Sequence, residues 1–256
     1  MIMIWIAAGL SLAMSGAWVV QRASGNAGMV DVVWTFSLGA AGIATGVVAG
    51  GARAILVAAL TAIWATRLGL HILRRNWGTP EDSRYAHLRT IWGSGFQARM
   101  FIFLQIQALA ALALAISFVA AAYNRAPLSA ADALGAALFA TGVAGGALAD
   151  AQLARFRRER VHGGGVCDGG LWRYSRHPNY FFEFLSWCCW PLLAIGPHHP
   201  WGWVALTAPA LMYWLLVHVS GIPPLEEAML RSRGDRYRAY QARTRAFFPI
   251  PKRNAS

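Results

Sequence analysis

Apolar positions fill this chain in long unbroken runs, and charge is confined to the gaps between them. Seven runs approach or exceed the ~20 residues that cross a bilayer core: about 2–21, 29–49, 54–73, 100–123, 130–150, 178–196 and 201–221. The pattern predicts an all-α polytopic membrane protein with seven transmembrane helices. Gly196-Pro197-His198-His199-Pro200 separates the last two runs as a turn. After the seventh, Pro223-Pro224 breaks the chain, and the segment from Leu225 to about Tyr240 reads as an amphipathic helix lying at the membrane surface. We expect one integral-membrane domain over residues 1–256.

Composition agrees with that outline: of 256 residues, 57% are hydrophobic and only 13% charged, against about a quarter charged in soluble domains. The net charge of +12 raises nucleic acid as a partner, but Lys252 is the only lysine and the arginines sit between apolar runs, so no nucleic-acid partner is expected. Basic residues alternate by side. Arg22, Arg74, Arg75, Arg84, Arg89, Arg99, the group from Arg155 to Arg176 and the tail from Arg231 to Arg253 fall on one side, with only Arg53 and Arg125 opposite. By the positive-inside rule the N-terminus is external and the tail cytoplasmic, in a bacterial inner membrane by expectation. The first run has no charged segment before it and reads as a retained helix. Cys167, Cys188 and Cys189 lack metal spacing and read as packing residues, so no metal is expected.

Two charges lie inside runs. Asp31 in the second and Arg67 in the third each cost at least ~2.5–3.5 kcal/mol if unpaired at the membrane centre, so they are expected to pair or to line a polar pocket. The third run gives way to Arg74-Arg75-Asn76-Trp77-Gly78-Thr79-Pro80-Glu81-Asp82-Ser83, where a Pro-Glu-Asp-Ser turn would cap a short interfacial helix. Gly142 and Gly146 in the fifth run have the spacing of a close helix contact.

The densest polar chemistry runs from Gly169 to Glu183, Gly-Gly-Leu-Trp-Arg-Tyr-Ser-Arg-His-Pro-Asn-Tyr-Phe-Phe-Glu. Pro178 suits the first turn of a helix, which would place Asn179 and Glu183 at i and i+4 on one face. Arg173, Arg176 and His177 would stand at a helix start that favours phosphate. Arg155, Arg157, Arg158 and Arg160 precede the glycines 163–165, a combination suited to a phosphorylated cofactor. Glu226 and Glu227, near the end of a membrane segment, could orient arginines or accept from a ribose or amide.

The Gly169–Glu183 stretch, with Tyr237, Tyr240 and Phe247-Phe248-Pro249 in the tail, resembles the steroid 5α-reductase family. It is closest to the bacterial branch of membrane proteins grouped with that family as a domain of unknown function. The likeness is strongest over residues 150–250. It implies a seven-helix membrane reductase that binds NADPH and passes hydride to a C=C bond conjugated to a carbonyl. It also implies cofactor contacts at Asp150, Arg157, Asn179 and Glu183, with Tyr174, Arg176, Tyr237 and Tyr240 as further members; His177, Tyr180 and Glu227 join the cofactor candidates on the reading of the residues themselves. Where that family has a glutamate on the second helix and a tyrosine on the third for the substrate carbonyl, this chain has Asp31 and Trp64 nearby.

Reduction of an enone puts negative charge on the carbonyl oxygen, and a placed donor there is worth ~3–4 kcal/mol. Arg67, or Asp31 if protonated, is the catalytic candidate, and the aromatic-rich early helices suit a steroid-like, prenyl or acyl substrate among membrane lipid. The rival is an S-adenosylmethionine-dependent methyltransferase resembling isoprenylcysteine carboxyl methyltransferase. It too uses an Arg-His-Pro-x-Tyr segment, here Arg176 to Tyr180, with a later glutamate, Glu226 or Glu227. Arginine density favours NADPH, since S-adenosylmethionine carries no phosphate. The sequence leaves the substrate, the preference for NADPH over NADH and the oligomeric state open.

Overall fold

A computed structural model describes residues 1–159 and 165–251. Among these the chain is helical throughout, with no strand. Six helices are long and apolar enough to cross a membrane: Ile2–Ser24, Val30–Ala49, Ala52–Asn76, Arg84–Ala122, Ala130–Glu159 and Pro200–Arg233. The protein is an integral membrane protein. Its α-helices are α1 (Ile2–Ser24), α2 (Val30–Ala49), α3 (Ala52–Asn76), α4 (Ser83–Trp92), α5 (Phe96–Ala122), α6 (Ala130–Glu159), α7 (Pro178–Trp187), α8 (Cys189–Ala194), α9 (Thr207–Trp214), α10 (Ile222–Arg233) and α11 (Asp235–Arg243).

The run at 178–196 departs from expectation, because it does not form one long helix. Pro191 has no N–H to give the carbonyl of Trp187, four residues back, and its ring crowds that turn. The helix therefore closes at Trp187, with Cys188 N donating to Phe184 O and Leu185 O, both at 3.2 Å. It restarts as the short α8. The tail departs in a similar way. One amphipathic helix was expected, and two form, α10 and α11, divided at Gly234, whose φ of 53° belongs to the left-handed region that glycine tolerates.

Two compact units make up the chain: Met1–Ala133 with Trp190–Ala208, and Leu134–Cys189 with Pro209–Ser256. In the first, α2 and α3 form a tight antiparallel pair. A Cβ added at Gly39 would lie 2.2 Å from the Ala65 Cβ, and one at Gly46 would lie 2.4 Å from the Ala54 carbonyl, so small residues here let two backbones touch. Polar side chains join α1 to α5: Ser11 donates to Gln105 at 2.7 Å, and Gln21 to Gln97 at 2.7 Å. Such bonds suit helices that gain no hydrophobic driving force from lipid. Leu38, Val57, Leu104 and Phe118 are fully buried among them.

The same unit holds Arg53, only 5% exposed. Its Nε and Nη2 donate to Asp132 at 2.6 and 2.8 Å, and its remaining N–H groups meet the carbonyls of Asn124, Ala126 and Pro127 at 2.7–2.8 Å. All five guanidinium hydrogens are used.

Candidate functional site

The site residues gather in the second unit, and its assembly begins where α6 meets α7. A Cβ on Gly142 would lie 2.6 Å from Ser186 N, and one on Gly145 2.3 Å from the Phe182 ring. Gly142, as expected, and also Gly145 lie in the contact, and only a hydrogen fits at either position. The contact brings Asp150 on α6 to Asn179 on α7, whose Nδ2 donates to the Asp150 carboxylate at 3.2 Å. Pro178 opens α7, as expected, with His177 as its N-cap. Glu183 follows one turn after Asn179, and its carboxylate accepts from the Trp187 indole at 2.9 Å.

Gln152 carries the next step. Its side-chain oxygen takes the backbone N–H of Leu171 at 2.9 Å and lies against Gly170, whose φ of 58° and lack of Cβ both matter there. The Trp172 indole donates to Ala149 O at 3.0 Å. With Gly170–Arg173 thus fixed as a 3₁₀ turn, Ser175, Arg176 and His177 are delivered to the tail. Arg176 N donates to Arg245 O at 2.9 Å, and Ser175 Oγ to Phe247 O at 2.8 Å. Tyr240 donates its hydroxyl to the carbonyl of Trp172. A ring cluster of Phe181, Phe184, Tyr213 and Phe247 packs alongside.

Glu226 on α10 is the hub. Its Oε1 accepts from Arg176 Nε at 2.7 Å and lies 3.1 Å from His177 Nε2, while Gln241 Nε2 donates to its Oε2 at 2.8 Å. Arg176 Nη1 donates onward to Thr244 O at 2.5 Å. His177 is buried, and burial holds its pKa below the ordinary 6.5 even though Glu226 pulls the other way. Burial likewise pushes the Tyr237 and Tyr240 hydroxyls above their usual range. The His177 ring stacks on Tyr180 with centroids 5.7 Å apart and a 10° angle between planes.

Of the expected cofactor residues, the structure brings Asp150 to Asn179, gathers Arg176, His177, Tyr180 and Tyr237 around the Glu226 hub, and ties Tyr240 to the carbonyls of Trp172 and Ser175. It does not place Glu227 there: that side chain is exposed and pairs with Arg231 one turn along at 2.7 Å. Tyr174 is exposed as well. Arg155, Arg157 and Arg158 are exposed at the end of α6, Arg155 bound to Glu159 at 2.6 Å. Arg160, Gly163 and Gly164 lie outside the described residues. The Cys167 thiol, pushed up by burial to about 11, stays protonated at neutral pH.

In the first unit, Asp31 carries partners that the sequence does not announce. Arg84 donates to one carboxylate oxygen at 2.6 Å and the buried Tyr85 hydroxyl to the other at 2.9 Å. Both come from α4, which starts, as expected, at the Asp82 cap. Arg67 is half-buried on α3. Beside α4, burial would raise the Glu81 carboxyl, yet Arg89 and the Ala27 N–H hold it below its usual value.

A family model described as "Protein of unknown function (DUF1295)" matches residues 17–244. No curated protein and no solved structure matches the chain. The match covers most of the chain, which therefore belongs to this family.

Proposed function

We propose that this chain is an integral-membrane reductase that binds NADPH and reduces a C=C bond conjugated to a carbonyl in a lipophilic substrate. The observation that carries the reading is the Asp150–Asn179 bond with Arg157 on the same face of α6, since seven residues are two helical turns. Three residues that the resemblance to steroid 5α-reductases assigns to the cofactor thus share one patch. The patch suits a dinucleotide: a carboxylate to accept from a ribose hydroxyl, an amide for a further hydrogen bond, and exposed guanidinium groups of Arg155, Arg157 and Arg158 for phosphate. NADPH, when bound, supplies the hydride.

On the substrate side, Arg84 and Tyr85 both donate to Asp31. Asp31 is therefore an acceptor, and in this reading the donor to the developing oxyanion is Arg67. The arginine-rich segments support an N-terminus outside and a cytoplasmic tail, a topology that requires an odd number of crossings and so a seventh passage through α7 and α8, broken at Pro191, beside the six long helices.

A second reading, the S-adenosylmethionine-dependent methyltransferase, draws on the meeting of Arg176 and His177 with Glu226. That places the Arg-His-Pro-x-Tyr segment beside its later glutamate. Thermal unfolding of the detergent-purified protein with NADPH, NADH and S-adenosylmethionine separates the two. Ligand at a hundredfold its Kd stabilises by about 2.7 kcal/mol, a rise of several degrees. NADPH alone should give that rise. A rise with S-adenosylmethionine alone would select the second reading, and no rise with any of the three would remove both.

A further inference from the structure

His177 sits where three elements converge: the turn that ends at Ser175, the first turn of α7, and Glu226 on α10. Its backbone N–H donates to Ser175 Oγ at 3.1 Å, and its carbonyl takes the N–H groups of Tyr180 and Phe181, both at 3.1 Å. The ring is pinned on one face by Tyr180 and at one nitrogen by Glu226. The ring is 5% exposed with the rest of the residue and cannot turn freely.

The Glu226 carboxylate decides which nitrogen bears the proton. It receives N–H donors from Arg176 at Oε1 and Gln241 at Oε2, and an ionised carboxylate only accepts. Facing it at 3.1 Å, Nε2 must be the donor. In a neutral imidazole the other nitrogen is then an acceptor. Among the described residues, the enclosed side-chain polar atoms without a partner are Gln21 Oε1 and Arg233 Nε. His177 Nδ1 is not among them, and the hydrogen bonds of this side chain run to Glu226 alone. The charged and titratable groups around the ring are Arg176, Tyr180 and Glu226, with Tyr237 next to the last.

We infer that Glu226 is a positioning residue that locks His177 in the Nε2–H tautomer, so that Nδ1 is held as a fixed hydrogen-bond acceptor for a hydroxyl or amide donor of the bound nucleotide. The inference rests on the reading of this unit as a nucleotide site. It separates two roles that the sequence leaves merged. Arg176, with its N–H groups turned to Glu226 and to tail carbonyls, holds the fold of the site. His177 keeps one polar atom for a ligand. A carboxylate that orients an imidazole in this way is a recurrent device where one ring nitrogen must be dedicated to chemistry or binding.

The test is histidine-selective ¹³C and ¹⁵N labelling of the full chain in detergent, with His177→Gln identifying the signal. The expected spectrum at pH 8 shows His177 as the Nε2–H tautomer. In Glu226→Gln, whose amide can either accept or donate, both tautomers are expected, together with about tenfold weaker NADPH binding. A wild-type Nδ1–H tautomer overturns the inference, and it needs no variant to be seen. Added NADPH should move the His177 Nδ1 signal. If NADPH raises the melting temperature but leaves Nδ1 unmoved, the acceptor role is wrong while the nucleotide site stands. If the tautomer is as stated and NADPH changes neither, the nucleotide reading fails and the Glu226 lock survives.

Discussion

Arg53 and Arg176 are both buried, both paired with a carboxylate and both bonded to backbone carbonyls, yet they do different things. Arg53 exhausts its five hydrogens on Asp132 and three loop carbonyls, joining the start of α3 to the loop before α6. That cluster contains no imidazole. Arg176 shares its carboxylate with His177 and Gln241, so its cluster includes an imidazole, a group whose proton can be placed. A closed ion pair fixes a loop. One shared with a histidine sets the state of a second group.

The largest effect that would sharpen this contrast is Arg53→Ala, which strands Asp132 and three carbonyls. Breaking a buried pair from one side costs about 3–5 kcal/mol, so the melting temperature should fall steeply, with NADPH affinity per folded molecule unchanged. A loss under 1 kcal/mol would show that the clasp is dispensable. Next comes Arg84→Ala. Its pair with Asp31 is partly exposed, so stability should fall by only about 1 kcal/mol. Asp31→Asn should in turn lower turnover several-fold at constant NADPH affinity, and unchanged turnover would take Asp31 out of the site. The smallest effect is a pH dependence. Because burial depresses the His177 pKa below 6.5, the unfolded chain binds the proton more readily than the folded one. The His177 contribution to stability is then complete above about pH 6.5 and is lost as pH falls from there through the folded value. Melting curves of wild type and His177→Gln between pH 8 and 5 should diverge in that window, and parallel curves would show that His177 is not held neutral.

Much of the architecture was legible because lipid imposes a simple rule: six of the seven apolar runs form helices fit to cross a membrane. The remaining run, 178–196, failed on one residue. Pro191 was visible within the 178–196 run, but hydropathy averages over it and backbone hydrogen bonding does not. Pro178 at the start of α7 and the Asp82 cap were readable because a cap is a local event. Glu226 against Glu227 was readable in principle, since Ile222 is buried and Glu226 lies four residues on, on the same helix face. Arg84 and Tyr85 were not readable as partners of Asp31. More than fifty residues separate them in the chain, and no periodicity encodes which of several arginines a distant carboxylate will choose. The arginines at the end of α6 were the clearest signal in the sequence. They lie exposed at the helix end, where a ligand can reach them, although Arg155 also pairs with Glu159.

That availability can be measured through Asn179 and Arg157. NADPH fluorescence titration of wild type, Arg157→Ala and Asn179→Ala should give a Kd about tenfold higher in each variant, the equivalent of ~1.4 kcal/mol, with little change in melting temperature for the exposed Arg157. If both variants bind NADPH as tightly as wild type, the cofactor does not lie on this patch and the account is wrong.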